Sequence, residues 1–252
     1  MDNYGTETWM AALQDEMIPS SILFAGDPHG NFRQIIEVVL EYRPKAVIML
    51  GDLTPDRPLE DVVEPILDMT QIYWIPGNHE GDRDGWYDYT FNSALWANNI
   101  HGRVIEIEGI RVAGLGGVFR AQVWYPKQGS EEPHPERTSK NSFLQKMGKG
   151  SRWRGGLNRR HRVTIFHNEI ERLMQQDADI LVTHEAPTCH KNGFAAIDNL
   201  ARAMGVGKIF HGHHHRYYVD GIEQGIRVIG VGLSECVDLS GQKLGSSGKC
   251  LL

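Results

Sequence analysis

The 252 residues carry a formal net charge of −6 with 40% hydrophobic residues, enough chain for one α/β domain with a full core. No apolar run approaches the roughly 20 residues of a membrane span, and Met1 to Ser20 has Asp2, Glu7, Asp15 and Glu16 where a secretory leader needs a basic end and an apolar centre, so no membrane association and a cytoplasmic location are expected. Cys189, Cys236 and Cys250 show no Cys-x-x-Cys spacing, so neither a disulfide framework nor a thiolate zinc site is indicated and they read as free thiols.

Residues 1–20 form an N-terminal segment whose one signal is a short helix around Thr8 to Glu16. Ser21 to Ala25 then reads as a buried strand that delivers Asp27-Pro28-His29-Gly30. Asn31 with Gln34 resembles a capping box opening a helix through Ile35, Ile36, Val39 and Leu40, which Pro44 ends. The unit repeats: Ala46 to Leu50 runs into Gly51-Asp52, and Leu59 to Leu67 has helical spacing that Pro65 kinks or divides. Gln71 to Ile75 is a third strand, ending in Pro76-Gly77-Asn78-His79-Glu80. Strands alternating with helices imply a parallel sheet, and ligands gather at the carboxyl ends of such strands.

Val104 to Ala113 reads as a hairpin around Glu108-Gly109 that begins a second sheet. A basic insertion, 120–162, follows. From Phe119 to Arg162 there are eleven Lys or Arg against three Glu, so the rest of the chain is strongly acidic and the positive charge is concentrated in one place. A loop of that length is functional or disordered. Beyond it, Asn168 and Glu171 mark a capped helix, and Ile180 to Val182 is a strand ending in Thr183-His184-Glu185. Phe194 to Met204 is an amphipathic helix closed by Gly205. Lys208 to Phe210 is a strand leading into Gly212-His213-His214-His215, and continued extension puts His213 and His215 on one face with His214 opposite. Tyr217 to Val219 and Ile226 to Val231 are closing strands, and 238–252 is a Gly/Ser-rich tail expected to be loose.

Taken singly, Asp27, Asp52 and Asn78 are ordinary turn residues, and His101, His134, His161, His167, His190 and His211 read as surface or core histidines. His184-Glu185 lacks a histidine at i+4 of a helix, so a zinc peptidase is not indicated, and Gly114-Leu115-Gly116-Gly117 lacks the third glycine of a dinucleotide loop. Together, Asp27-x-His29, Gly51-Asp52, Gly77-Asn78-His79-Glu80, His184 and Gly212-His-His-His follow one another, each at the end of a predicted strand.

In that order and spacing, from Asp27 to His215, the chain resembles the calcineurin-like metallophosphoesterase superfamily. The resemblance implies an α/β fold, a metallophosphoesterase-type α/β/β/α sandwich of two central mixed sheets flanked by helices, formed by 21–237. It implies a phosphoesterase that hydrolyses phosphate mono- or diesters with a hydroxide shared by two metals. Asp27, His29 and His215 would hold one ion, Asp52 would bridge, and Asn78, His184 and His213 would hold the other. His79 would contact the phosphate and protonate the leaving group, with Glu80 orienting its ring. Oxygen and nitrogen donors without cysteine suit Mn²⁺, placed first, or Fe, Zn, Ni or Co. Arg120, after Gly116-Gly117, and Arg57, after Asp52, are candidates to clamp a phosphate.

The expected partner is a phosphate-ester substrate: a small molecule, a nucleotide or a phosphoprotein. A nuclease or phosphodiesterase using the basic insertion, a serine/threonine protein phosphatase and a non-catalytic scaffold are the alternatives. Asp56-Arg57 resembles the protein phosphatases' Asp-Arg pair with one residue too many, and Gly-His-x-His departs from their ending. No ligand of the constellation is missing, which weighs against the scaffold. Sequence sets no oligomeric state.

Overall fold

The structure, a computed structural model, describes residues 21–127 and 134–245. The first half alternates strand and helix: β1 (Ile22–Ala25), α1 (Arg33–Tyr42), β2 (Ala46–Met49), α2 (Leu59–Val62) and β3 (Gln71–Trp74). A single 3-10 turn, His79–Gly81, and α3 (Asp84–Phe91) follow. The hairpin is β4 (Arg103–Ile107) and β5 (Ile110–Leu115). The basic insertion contributes α4 (Lys140–Lys146) and α5 (Arg159–Arg162), and α6 (His167–Leu173) follows it. The second half continues with β6 (Ile180–Thr183), α7 (Ala195–Met204), β7 (Lys208–His211), β8 (Tyr218–Ile222), β9 (Ile226–Gly230), β10 (Cys236–Val237) and β11 (Lys243–Leu244).

Two mixed sheets result, ordered β11-β10-β1-β2-β3 and β4-β5-β6-β7-β9-β8. In the first, β1, β2 and β3 are parallel, with Ala25 beside Met49 and Met49 beside Trp74, so their carboxyl ends lie along one edge. In the second, β5, β6, β7 and β9 are parallel.

The period of two along each strand sorts the apolar residues into three layers. Ile22, Phe24, Ala46 and Ile48 face Val112, Ile180, Val182, Phe210 and Ile229 between the sheets. There the rings of Phe24 and Phe210 stack with centroids 3.7 Å apart, a pair worth roughly 0.5–1.5 kcal/mol beyond its buried area. The alternate residues Leu23, Ala25, Val47 and Met49 pack on Ile35, Val38 and Val39 of α1 and Leu59 of α2. On the far side Leu115, Leu181 and Ile209 pack on Ile170 of α6 and Ile197 and Leu200 of α7. The expected α/β/β/α sandwich is therefore present, and α2 and the 3-10 turn Glu64–Ile66 are the two pieces into which Pro65 divides the second crossover.

Several local expectations change. Asn31 does not cap α1: Phe32 already has near-helical backbone angles, and Asn31 Oδ1 accepts from Arg33 N at 3.3 Å in a turn of its own. The start of α6 is held by Glu169, whose carboxylate accepts from Phe166 N at 2.9 Å, rather than by Asn168 and Glu171. The stretch after Asp238 is not wholly loose, because β11 pairs antiparallel with β10; residues 246–252 lie outside the described residues, as does the helix expected near Thr8.

The described part of the insertion is packed rather than disordered. Phe143, Leu144 and Met147 lean on a core containing Trp124, Leu157 and Phe166. Trp153 lies edge-on to Tyr87 of α3 at 5.0 Å and beneath Arg154 at 4.1 Å. Arg154 binds Asp88 through both oxygens at 2.5 and 2.8 Å, and Arg159 reaches Asp84 at 2.5 Å. Two of its arginines thus tether the insertion to α3. No helix among the described residues is long and apolar enough to cross a membrane.

Candidate metal centre

The motif residues meet where the carboxyl ends of β1, β2 and β3 face those of β6 and β7. They do not project from extended strands. Asp27, His29, Asp52, His213 and His215 all have φ between 21° and 69°, in the left-handed region, at a cost of order 1 kcal/mol or more each. The expected strand continuation through His213 and His215 is thereby corrected. β7 stops at His211, and the reversed backbone sends the two rings to different neighbours rather than to one face.

One group comprises Asp27, His29, Asp52 and His215, and a second comprises Asp52, His184 and His213; within each group the donor atoms lie within 4.8 Å of one another. Asp52 belongs to both. Its Oδ2 is 3.7 Å from His29 Nε2 and 3.4 Å from His184 Nε2. His29 Nε2 and His215 Nε2 stand 2.9 Å apart, and His184 Nε2 stands 3.1 Å from His213 Nδ1 and 3.3 Å from Asn78 Oδ1.

Backbone contacts aim these donors. Asp27 is fully buried, and both its oxygens accept from His213 N at 3.0 Å, tying β1 to the histidine run. His79 N donates to Asp52 Oδ1 at 2.8 Å. The buried His184 ring donates Nδ1–H to Leu50 O at 2.8 Å, which leaves Nε2 facing the group. Gly51 makes that approach possible: it sits at φ 102°, and a Cβ there would stand 2.5 Å from His184 Nδ1. Gly77 serves likewise, because a Cβ there would fall on Asp52 Oδ1.

The donor chemistry fits metal ions. Asp27, Asp52 and Glu80 are buried, and none has a Lys or Arg at ion-pair distance among the described residues. Burial pushes Asp27 up to about 7, with Asp52 and Glu80 adding to the rise against His184. Burial opposes charge on His184 as well, but Asp52 and Asp27 hold its pKa up. Burial together with His184 presses His213 down to about 3. Carboxylates stacked without permanent cations, with unprotonated imidazole nitrogens among them, form a site that a divalent cation would neutralise.

Two expected roles change. Glu80 does not orient His79: its carboxylate turns inward to accept from Leu53 N and, at 2.7 Å, from Gly77 N, joining the loops after β2 and β3. Asp82 takes that place, with Oδ2 2.7 Å from His79 Nδ1. Asp82 was legible as a residue three positions on from His79 in a turn, the spacing at which side chains meet. Arg57 is not brought to the centre; it is exposed and bonds Asp56 at 3.2 Å. Arg120 is half-buried near Asp82, Glu185 and Asp52, whose charges it feels. His214, the middle of the run, stacks on His190 at 3.8 Å instead of joining either group.

A model of calcineurin-like phosphoesterases matches residues 20–217. The chain belongs to the calcineurin-like phosphoesterase family. An uncharacterised protein of Haemophilus influenzae is 39% identical over 223 residues, covering 88% of this phosphoesterase-family chain and 96% of its own length. Among solved structures, TT1561 of Thermus thermophilus superposes with a TM-score of 0.55 at 14% identity, covering 89% of this chain and 98% of its own. The 5'-nucleotidase of Candida albicans gives 0.52 at 15% identity, covering 87% of this chain and 48% of its own. At those identities the two structures speak to the fold, which this family member shares.

Proposed function

We propose that this member of the family is a metallophosphoesterase that hydrolyses phosphate esters at a dinuclear centre, with Asp27, His29, Asp52 and His215 holding one ion and Asp52, Asn78, His184 and His213 the other. The observation that carries this reading is the position of Asp52, common to both donor groups and within 3.7 Å of a histidine nitrogen in each. Mn²⁺ is the first candidate, with Fe, Zn, Ni or Co as alternatives, since the two groups offer oxygen and nitrogen and no sulfur. When bound, the ions supply Lewis-acid charge to the phosphoryl oxygens and the acidification of water that hydrolysis needs near neutral pH.

The protein's own residues do the rest. His79 Nε2 lies 4.0 Å from Asp52 Oδ2, beside both donor groups, while Asp82 holds the opposite nitrogen. His79 is thereby positioned to hand a proton from Nε2 to the departing ester oxygen, help worth about 10²–10⁴ in rate. Arg120 is a candidate to bind phosphate oxygens. Glu185 Oε2, 4.0 Å from His213 Nε2, steadies the outer side of that ring.

The test is hydrolysis of para-nitrophenyl phosphate and bis-para-nitrophenyl phosphate by metal-stripped protein, with and without Mn²⁺, alongside Asp52→Asn. Mn²⁺-dependent turnover that this substitution abolishes, with bound metal falling below two per chain, is the expected result. A protein that binds no metal sinks the proposal.

A further inference from the structure

We infer that Arg120 and Arg160 form a cationic clamp beside His79 that grips the outer oxygens of a phosphate monoester dianion, an assignment that rests on the phosphoesterase reading above. The two arginines come from different segments and reach the same short turn. Gly117 N donates to Pro76 O at 2.6 Å, laying the segment that leads to Arg120 along the Pro76-Gly77-Asn78 loop. From the insertion, α5 rests on the far end of the turn: a Cβ on Gly81 would stand 3.0 Å from Arg159 O and 3.2 Å from the Cα of Arg160. His79 heads the turn between these two contacts.

Both backbones are fixed. Arg120 O accepts from Val123 N and Trp124 N, each at 2.8 Å, and Arg160 O accepts from Thr164 Oγ1 at 2.8 Å. Arg160 Nε lies 3.8 Å from Asp82 Oδ1, while the other oxygen of Asp82 holds His79, so a single carboxylate stands between the histidine and the arginine.

Not every donor beside the turn is met. Arg120 Nε is buried with no hydrogen-bond partner, and so is Nδ1 of the adjacent His161. Glu185 Oε1 accepts from Phe119 N at 3.2 Å. Burial and the charge of Arg160 press the pKa of Arg120 down, while Asp82, Glu185 and Asp52 oppose the fall. A buried donor left unmade is costly, and an anion beside the Arg120 guanidinium would offer it an acceptor.

Four other cations of the insertion are engaged with carboxylates elsewhere. Arg154 and Arg159 bind Asp88 and Asp84, Lys140 binds Glu169 at 2.8 Å, and Lys146 binds Glu136 at 2.7 Å. Within the insertion, Arg120 and Arg160 are the cations whose charges meet Asp82 beside the His79 turn. A monoester dianion offers three non-bridging oxygens and two charges to a pair of guanidinium forks, whereas a diester offers two oxygens and one charge. The clamp therefore selects monoesters.

The experiment compares metal-loaded wild type, Arg160→Ala and Arg120→Ala on para-nitrophenyl phosphate and its bis ester, with calorimetric titration of inorganic phosphate as an independent readout. Arg160 is exposed, so its replacement leaves the fold intact even if Arg120→Ala does not fold. The expected result for Arg160→Ala is a monoester KM and a phosphate Kd each raised about tenfold, kcat within about twofold, and a clearly smaller loss in diester kcat/KM. Equal losses on both esters, or an unchanged phosphate Kd, overturns the clamp. Should wild type bind no metal, the two-metal reading fails by itself, and phosphate affinity alone then decides the clamp: a Kd that Arg160→Ala raises supports it and an unchanged Kd overturns it.

Discussion

Asp82 Oδ2 stands 2.7 Å from His79 Nδ1, three residues along the same 3-10 turn, so the ring that faces Asp52 is held from behind by its own segment. A carboxylate in that place fixes ring orientation, and its loss typically costs about 10–100-fold. His79→Ala is expected to lower kcat by about 10²–10⁴, Asp82→Ala by less, and the double variant by no more than His79→Ala alone. Single-turnover rates on one ester check this, and additive losses would show that Asp82 acts independently of His79.

Gly51 and Gly85 give opposite expectations for the same substitution. At Gly51 a Cβ would stand 2.5 Å from His184 Nδ1 and 2.7 Å from Gly77 N, at φ 102°. Gly51→Ala should destabilise by about 2 kcal/mol or more and cost the protein bound metal. At Gly85, in α3, the nearest atom is Tyr89 Cε2 at 3.5 Å, an ordinary contact, and Gly85→Ala should stabilise by about 0.5–1 kcal/mol. Urea midpoints and metal content per chain separate the two; similar midpoints would contradict the packing argument.

Glu169 carries a pH dependence. Burial works against its charge, but His101 at 3.1 Å and Lys140 at 2.8 Å hold the carboxyl well below its ordinary value of 4.5. The folded protein therefore binds this proton less readily than the unfolded chain. The stabilisation is present above about pH 4.5 and is lost as pH falls toward the folded pKa. Glu169→Gln is expected to cost about 3 kcal/mol at pH 7 and progressively less toward pH 3. A gap in unfolding free energy that stays constant over that range would remove Glu169 as the source.

The paired arginines of the insertion bear on polynucleotides. With Arg154 and Arg159 bound to Asp88 and Asp84 and Lys140 and Lys146 to glutamates, four of the eleven cations of the insertion are already paired with carboxylates and are less able to displace counterions from a nucleic-acid backbone. Affinity for single-stranded DNA should be weak, with a log–log salt slope shallower than about −3. A steep slope between 50 and 200 mM salt, roughly −0.7 per phosphate contacted, would favour the nuclease alternative.

Read without coordinates, the strands were the clearest feature. Ile22 to Ala25, Ala46 to Met49 and Ile180 to Thr183 are buried on both faces, so each appears as an unbroken apolar run ending in a polar motif. The positions of Asp27, Asp52, Asn78, His184 and the histidine run follow from that pattern, because chemistry collects where parallel strands end.

Tertiary structure alone decided how the side chains point and which charges are spent. His213 and His215 diverge because their backbones turn left-handed, a conformation with no signature in residue spacing. Glu80 turned inward because two buried backbone N–H groups, Leu53 N from a distant loop and Gly77 N, needed an acceptor. The basic insertion looked like one positive field, yet Arg154 and Asp88 lie 66 residues apart in the chain and meet only when the insertion packs on α3. Composition and local pattern thus determined the elements and the donor inventory of this chain. The partner of each charge depended on contacts between remote segments, which no local pattern encodes.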